Sequence, residues 1–354
     1  MIIETFDDNL IQADLTIRQA MRSLDKSHRS ILFVTREDQV LYGALTDGDI
    51  RRYILSGNSL NDSIEKVCNQ NPVTTKAGYD LEDIKQVMLK KRIRAIPVVD
   101  DRKNVLEILF WDNIFDDDHH QKSNIYLNAP VVVMAGGKGT RLEPFTKVLP
   151  KPLIPIHDKP IIEHIIEKFT IKGCNHFYLT VNYKSKILKA FFEELNPDYD
   201  VTFVDEKSPL GTAGSLGLLP KDLDTPIFVT NCDTIINIDY ADAYDFHKEE
   251  GNDITLIAAA KEYVIPYGTC ELNSDGHLSH INEKPKYDFL ISTGLYILNP
   301  EMLQVIPENE VYHITDLIKT VKDQGKKVGV FPIDEEAWID IGQWVEYQKA
   351  VDRL

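Results

Sequence analysis

The sequence predicts an α/β protein with a mixed, mainly parallel sheet, preceded by a small α+β pair of repeats. Three observations predict this fold. Two similar segments lie about 65 residues apart near the start. Strand and helix patterns alternate from residue 131 onward, and a glycine-rich turn follows the first of those strands. At 354 residues the chain is long enough for two or three domains with separate cores.

The two repeats share one order of elements. "ILFVTREDQVLYGALT" at 31–46 and "IPVVDDRKNVLEILF" at 96–110 each read as strand, charged turn and strand. Helical patterns precede them at 14–25 and 80–91. Two copies are too few for a solenoid, so we expect a pair that packs sheet against sheet. The predicted boundaries are 1–62 for the first repeat, 63–120 for the second, 121–129 for a linker and 130–354 for the large domain.

The large domain begins with an apolar strand pattern. Four such segments are predicted to be buried strands, at 131–135, 176–182, 226–231 and 254–260. An amphipathic helix is predicted over 159–173, where it ends at a glycine. This alternation is typical of helices that cover a mainly parallel sheet.

The glycine-rich turn "AGGKGTR" occupies residues 135–141. Glycine permits positive φ and lets backbone N–H groups approach an anion closely. Arg141 adds a guanidinium suited to phosphate, and Lys151 stands between two prolines ten residues later. The turn is neither a Walker A loop nor GxGxxG. It predicts a phosphate-binding loop; the alternative is a glycine turn with basic surface residues.

Composition excludes several classes of partner. The net charge of −17 argues against nucleic acid or an anionic membrane as the main partner. The acidic start and the lack of an 18-residue apolar run predict no signal peptide, no membrane span and a cytoplasmic protein. The cysteines show no metal-ligand spacing and are expected to be buried free thiols: Cys68, Cys174, Cys232 and Cys270.

The segment "MAGGKGTRLEPFTKVLPKPLIPI" at 134–156 resembles the signature of sugar-phosphate nucleotidyltransferases. The resemblance continues through "PLGTAGSL" (209–216), "NCD" (231–233), "YGTCEL" (267–272), "EKP" (283–285), "STGLYIL" (292–298) and "WIDIG" (338–342). It implies a Rossmann-like catalytic domain. It also implies the reaction of an NTP with a sugar 1-phosphate to give an NDP-sugar and pyrophosphate, without a covalent enzyme intermediate.

The resemblance also implies roles for individual residues and Mg²⁺ as the cofactor. The implied catalytic residues are Arg141, Lys151 and Lys284; the nucleotide-binding residues are Ala135, Gly136, Gly137, Gly139, Thr140, Glu206, Gly211 and Thr212; the metal ligands are Asp233 and Asp340; and the sugar-binding residues are Gly268, Glu283, Thr293 and Gly294. One departure is Cys232, because the family more often has glycine between the asparagine and the aspartate.

Glu206 bears on the choice of nucleobase. It stands where thymidylyl- and many uridylyltransferases carry glutamine. A carboxylate only accepts hydrogen bonds, which suits the two adjacent donors of guanine better than the single N3–H of uracil or thymine. Glu206 therefore favours GTP. Two alternatives remain: Glu206 faces solvent beside Lys207, or the protein is one of the uridylyltransferases that also carry a glutamate nearby.

The N-terminal repeats resemble a tandem pair of CBS domains, which implies an adenosine-nucleotide site and a homodimer. Thr46 and Asp49 match the ribose-binding pair in the first repeat. The second repeat has Phe110 and Asn113 there, so we expect one site per chain. The alternative is a pair that only dimerises. The adjacent His119 and His120 are expected to be solvated rather than metal ligands.

A CBS pair joined to this transferase resembles bacterial glucosamine-1-phosphate guanylyltransferases of legionaminic (nonulosonic) acid synthesis. The predicted substrates are therefore GTP and glucosamine 1-phosphate, for surface glycan synthesis. The alternatives are a mannose-1-phosphate guanylyltransferase, a uridylyl- or thymidylyltransferase, and a non-catalytic regulator that binds an NDP-sugar. A regulator would be expected to lose Arg141, Lys151 or a metal-binding aspartate, and all are present.

Overall fold

The computed structural model describes residues 6–27, 31–36, 39–91, 93–111, 114 and 126–353. The strands are β1 (Leu10–Gln12), β2 (Ile31–Arg36), β3 (Val40–Thr46), β4 (Ala95–Val99), β5 (Val105–Phe110), β6 (Val131–Met134), β7 (Pro155–Ile156), β8 (Lys159–Pro160), β9 (His176–Val181), β10 (Asp200–Asp205), β11 (Ile227–Asn231), β12 (Thr234–Ile236), β13 (Ile254–Val264), β14 (Thr269–Leu272), β15 (Leu278–Asn282), β16 (Lys286–Leu298), β17 (Val328–Asp334) and β18 (Trp338–Asp340). The α-helices are α1 (Ile17–Ser27), α2 (Asp47–Leu55), α3 (Leu81–Lys91), α4 (Ile161–Thr170), α5 (Ser185–Leu195), α6 (Gly211–Gly214), α7 (Tyr240–Glu249), α8 (Ile314–Asp323) and α9 (Trp344–Arg353). Among these helices, none has both the length and the apolar character needed to cross a bilayer.

The chain divides into two compact units. The first unit combines residues 1–124 with 261–289, and the second combines 125–260 with 290–354. The strands β13 and β16 therefore each have residues in both units. Much of the predicted linker and its flanks lies outside the described residues, including Asn113, His119 and His120.

The first unit contains the two repeats. Its sheets have the orders β1-β2-β3 and β4-β5. Phe33 and Ala44 from one sheet share an apolar cluster with Val99 and Ile108 from the other. The expected packing of sheet against sheet is thus confirmed, since the buried faces of the two sheets form a common core.

The antiparallel β14–β15 hairpin completes the first unit, with Thr269 opposite Asn282. All residues of β15 are exposed. The prediction of four buried thiols was wrong for Cys270, which is exposed on β14, whereas the other three cysteines are buried. The reason is that a two-stranded hairpin without a covering layer leaves its side chains in water.

A mixed sheet organises the second unit. Seven described strands form it, in the order β10-β9-β6-β11-β16-β13-β17. β6 is parallel to both of its neighbours, and β16 is antiparallel to β11. The predicted mixed, mainly parallel sheet is confirmed. Val131 and Val133 enter one apolar cluster and Val132 the other, as alternation along a strand buried on both faces requires.

Helices cover both faces of this sheet. Phe169 of α4 and Tyr240 of α7 pack in the cluster on one face, and Leu317 of α8 packs on the other. The predicted helix over 159–173 is shorter than expected, because Lys159–Pro160 pairs with Pro155–Ile156 as a short antiparallel ladder. It ends before Gly173, whose φ is 81°.

A buried histidine network joins α7 to the sheet. His247 is 1% exposed, and its Nδ1 lies 2.9 Å from Thr255 Oγ1 while its Nε2 lies 3.0 Å from Asn299 Oδ1. Asn252 Nδ2 donates to the same threonine oxygen. The Thr255 hydroxyl can thus donate to Nδ1 while Nε2–H donates to the Asn299 amide oxygen. This arrangement corresponds to a neutral imidazole ring. Burial lowers the pKa of His247, although the bond to Asn299 raises it.

Acidification is therefore expected to destabilise the fold through His247. As the pH falls below the ordinary histidine pKa of about 6.5, the unfolded chain gains this proton first, so stability decreases until the lowered folded pKa is passed. The loss is up to about 1.4 kcal/mol per pH unit in that window. Urea unfolding between pH 5 and 8 tests this. His247→Gln should show a flatter pH dependence than the wild type or the exposed-site control His277→Gln; equal slopes would contradict it.

Candidate active site

The glycine loop follows β6 directly. Gly139 has φ 66°, and a Cβ there would lie 2.9 Å from Thr146 Cγ2 and 3.0 Å from Lys151 Cβ. Its carbonyl accepts hydrogen bonds from Leu142 N and Thr146 Oγ1. At Gly137, by contrast, a Cβ would meet nothing within 4 Å. Close packing therefore requires glycine at position 139, whereas Gly137 leaves the backbone open to a ligand.

The remaining predicted loop residues have different surroundings. Ala135 is buried and its N–H donates to Thr180 O at 3.0 Å. Thr140 and Arg141 are exposed at the start of the short 3₁₀ helix Thr140–Leu142. Arg141 makes no ion pair with any residue that the structure describes. Its guanidinium donors are available to a phosphate.

Lys151 connects the loop to a carboxylate. It is 8% exposed, its Cβ lies near Gly139, and its ammonium forms an ion pair with Asp233. Pro150 and Pro152 flank it and restrict the backbone. Because the pair is largely shielded from water, its electrostatic interactions are stronger than those on the surface.

Asp233 and Asp340 are brought together by the β12–β18 ladder. Asp340 pairs with Thr234, and Ile341 N donates to Asp233 O at 2.8 Å. A Cβ on Gly342 would lie 2.9 Å from Asp340 Oδ1 and 3.0 Å from Asp233 Oδ2. One oxygen of each carboxylate thus lies beside Gly342. A larger residue at this position would fill the space between them.

This pair can hold a hard cation. No cluster of three or more histidine, cysteine or acidic side chains occurs among the described residues. Two carboxylates suit Mg²⁺, which keeps several waters and takes further oxygens from substrate phosphates. Cys232 does not compete as a ligand, because burial, with a contribution from Asp233, raises its pKa to about 12.

Glu206 lies against the glycine loop. Its Oε2 accepts a hydrogen bond from Leu210 N at 3.1 Å, and its Oε1 is so close to Gly136 that a Cβ there would collide with it. Burial raises the pKa of Glu206, and the Leu210 N–H opposes this rise. The alternative that this side chain faces solvent beside Lys207 does not fit these contacts.

Gly211 and Thr212 shape the neighbouring turn. Gly211 has φ 81°, and a Cβ there would lie 2.6 Å from Tyr312 O. Thr212 Oγ1 accepts from Ile314 N, the first residue of α8, at 3.0 Å. These contacts give both residues a packing role, and their contact with a nucleotide stays a prediction.

Thr293 and Gly294 lie in β16. The Thr293 hydroxyl is buried and donates to Ile257 O at 2.9 Å, so it is already engaged in the sheet. Gly294 has φ 86°, and a Cβ there would collide with the side chain of Asn231. Sequence reasoning did not single out Asn231 or Gly342; their positions within "NCD" and "WIDIG" were the available signals.

The other sugar-binding candidates belong to the first unit, at the base of the β14–β15 hairpin. A Cβ on Gly268 would lie 2.9 Å from Glu283 Oε2, so the two residues face each other. Lys284 follows with φ 47° and is exposed. The structure therefore places these three residues together.

Thr46 and Asp49 form a capping box at the start of α2. Thr46 Oγ1 donates to Asp49 Oδ2 at 2.6 Å, and Asp49 N donates to Thr46 Oγ1 at 3.2 Å. Helix capping alone accounts for this pair. Phe110 is buried in the core between the two sheets. The adenosine-nucleotide site stays a prediction.

An α/β sheet with a glycine loop, a buried lysine and two converging aspartates defines a class of nucleotide-handling transferase. The nucleotidyl transferase family model matches residues 130–354, and the CBS domain model matches residues 10–56 and 64–116, called the CBS pair below. The chain belongs to the nucleotidyl transferase family.

Similar proteins include the mannose-1-phosphate guanyltransferases of Debaryomyces hansenii, 36% identical over 222 residues, and Schizosaccharomyces pombe, 36% identical over 227. The matches cover 60% and 61% of this chain, and the chain spans only about 60% of the length of these relatives. Among solved structures, HddC from Yersinia pseudotuberculosis is 26% identical with a TM-score of 0.51, covering 64% of this chain and 99% of HddC. HddC complexed with GMP-PN is 25% identical, with the same coverage and TM-score.

Proposed function

We propose that the chain transfers a guanylyl group from GTP to a sugar 1-phosphate, giving a GDP-sugar and pyrophosphate with Mg²⁺ as the cofactor. The observation that supports this best is Lys151, which packs against the glycine loop and pairs with Asp233 beside Asp340. The similarity to mannose-1-phosphate guanyltransferases and to an HddC complex with GMP-PN supports the guanine nucleotide.

The proposed reaction is an in-line displacement. A phosphate oxygen of the sugar 1-phosphate attacks the α-phosphorus, and the bond from that phosphorus to the bridging oxygen breaks as pyrophosphate leaves. The loop N–H groups and Arg141 hold the phosphates, and Lys151 neutralises charge near the reacting phosphorus. Asp233 and Asp340 would hold Mg²⁺, which supplies further charge neutralisation at phosphate oxygens when bound.

On the acceptor side, Lys284 is proposed to bind the sugar phosphate and Glu283 to accept hydrogen bonds from the sugar. We propose glucosamine 1-phosphate, because the CBS pair with this transferase resembles enzymes of legionaminic acid synthesis. The alternative, mannose 1-phosphate, is favoured by the curated relatives. Because GTP is a cytoplasmic nucleotide, we place the reaction in the cytoplasm.

A matrix of four nucleoside triphosphates against several sugar 1-phosphates tests this specificity, with pyrophosphate detected as phosphate after pyrophosphatase. We expect the highest kcat/KM with GTP, and with glucosamine or mannose 1-phosphate as acceptor. A preference for UTP or dTTP would contradict the guanylyl assignment. Equal release of pyrophosphate without any sugar 1-phosphate would contradict transfer to a sugar.

Glu206→Gln is expected to weaken GTP use by about 1–3 kcal/mol in kcat/KM, because one hydrogen bond to a charged acceptor is lost. The kcat/KM for UTP and for dTTP should fall less than that for GTP, or should rise. Glutamine retains an acceptor for Leu210 N, so the turn should persist. Asp205→Asn, at an exposed neighbour paired with Lys189, is the matched control. Unchanged GTP kinetics in Glu206→Gln would show that another group reads the base.

Thr46→Ala is expected to lower the affinity of the CBS pair for an adenosine nucleotide about fivefold or more, because a hydroxyl contact is lost. Calorimetry of the full chain with AMP and ADP measures this. Thr16→Ala removes a comparable hydroxyl, which accepts from Gln19 N at the start of α1, and should not change the affinity. The absence of heat with the wild type would contradict an adenosine-nucleotide site in the CBS pair.

A further inference from the structure

We propose that Arg18 and Asp288 are positioning residues for the sugar-phosphate acceptor, because their ion pair holds the base of the β14–β15 hairpin to the CBS pair. The CBS pair is thereby a structural part of acceptor binding. This inference rests on the proposed function, in which Glu283 and Lys284, at the base of that hairpin, bind the acceptor.

Both oxygens of the Asp288 carboxylate contact the CBS pair or its connecting segment. Arg18 Nη2 lies 2.5 Å from Asp288 Oδ1. Ser59 Oγ and Asn61 Nδ2 lie 3.4 and 3.5 Å from Oδ2. Three side chains from two segments of the first unit therefore converge on one carboxylate near the start of β16.

A second carboxylate extends the contact to the other strand of the hairpin base. Asn61 Nδ2 lies 3.4 Å from Glu262 Oε2, and Lys286 Nζ donates to Glu262 Oε1 at 3.3 Å. Burial works to raise the pKa of Glu262, but these two hydrogen bonds hold it below its ordinary value. Glu262 lies in β13 and Lys286 in β16, so the network links both strands that lead into the hairpin.

The backbone at Arg18 is fixed by hydrogen bonds and by a buried neighbour. Ile17 is fully buried, and the backbone N–H groups of Ile17 and Arg18 donate to Asp62 O and Leu60 O at 2.9 and 3.0 Å. Arg18 itself is 9% exposed. An ion pair with such low exposure is screened less by solvent than a surface pair, so its loss should have a measurable effect.

The strands of the β14–β15 hairpin are mostly exposed, so we expect the contacts of Asp288 and Glu262, called the anchor below, to limit the motion of its base. A two-stranded hairpin is marginally stable in water, and every residue of β15 is exposed. At its base Ile265 N donates to Pro285 O at 3.1 Å, next to β13 and β16, which are neighbours in the large sheet. Loss of the anchor should therefore let the acceptor-binding groups Glu283 and Lys284 move, while the nucleotide-binding loop is unaffected.

Steady-state kinetics of the full chain tests the proposal. Arg18→Ala and Asp288→Asn are each expected to raise the KM for the sugar 1-phosphate about fivefold, the change that corresponds to the loss of one partly buried ion pair. The KM for GTP and the kcat should stay within about twofold of the wild type. Arg18→Lys should recover part of the loss. The loss in the double variant should be smaller than the product of the two single losses, because both variants remove the same ion pair. Arg36→Ala, which removes the Arg36–Glu65 pair of the same unit, is the matched control.

Hydrogen–deuterium exchange gives a readout that does not require activity. Arg18→Ala should speed exchange in the 269–282 peptides and leave the 31–46 peptides unchanged. Unchanged exchange, faster exchange with an unaltered acceptor KM, or equal losses for both substrates would each overturn the proposal. If no acceptor is turned over by the wild type, the proposed function fails, and the exchange in 269–282 then decides alone whether the anchor exists.

Discussion

Asp233→Asn should lose most of its turnover, about 100-fold or more in kcat, while the chain still folds. The carboxylate is proposed to hold Mg²⁺ with Asp340, and a neutral amide is a weaker ligand for a hard cation. Asparagine keeps the size of the side chain and one acceptor oxygen for Lys151, so the local structure should persist. The measurement is kcat over a Mg²⁺ titration, with the melting temperature as the check on folding.

Asp239→Asn is the control for this prediction. Asp239 also pairs with a lysine, Lys172 at 2.9 Å, and caps α7 through Ala241 N, which asparagine can also cap. Its turnover should match the wild type. Near wild-type kcat in Asp233→Asn at saturating Mg²⁺ would contradict the metal assignment.

Lys151→Gln should also lose about 100-fold or more in kcat, because a buried positive charge near the transferred phosphate is removed. Its dependence on Mg²⁺ should differ from that of Asp233→Asn. Lys151 pairs with Asp233, so its removal frees that carboxylate for the cation. The Mg²⁺ concentration for half-maximal rate should therefore stay the same or fall, whereas it should rise in Asp233→Asn.

Lys159→Gln provides the matched control, because this lysine pairs with Glu167 in a more exposed setting. Its kcat should be unchanged. A rise in the Mg²⁺ requirement of Lys151→Gln, equal to that of Asp233→Asn, would show that the lysine supports the metal site rather than the phosphates.

Periodicity and glycine placement predicted much of the fold. The strand "VVVM" at 131–134 has two faces that must both be buried, and this alone places it inside a sheet. Gly139 and Gly294 have the positive φ that favours glycine. Such features are local, because φ and strand alternation depend on the residue and its neighbours.

The contacts made over long distances in the sequence were not predictable in the same way. Arg18 meets Asp288, 270 positions away, and residues 261–289 belong to the same compact unit as the N-terminal repeats. No periodicity encodes such a partner. Thr293 shows the same limit at the site, because its hydroxyl bonds to the neighbouring strand at Ile257. The family resemblance assigned it to the sugar, and only the hydrogen bond to Ile257 O in the folded chain shows its competing role.

The most direct test of the proposed chemistry is the balance of products. The purified chain is incubated with GTP, Mg²⁺ and either glucosamine or mannose 1-phosphate, and the nucleotides and pyrophosphate are quantified by chromatography and mass spectrometry. We expect GDP-sugar and pyrophosphate in equal amounts, with neither formed in excess EDTA and both formed about 100-fold more slowly, or slower still, by Asp233→Asn. The absence of any GDP-sugar, with the folded chain still binding GTP, would contradict the proposed chemistry.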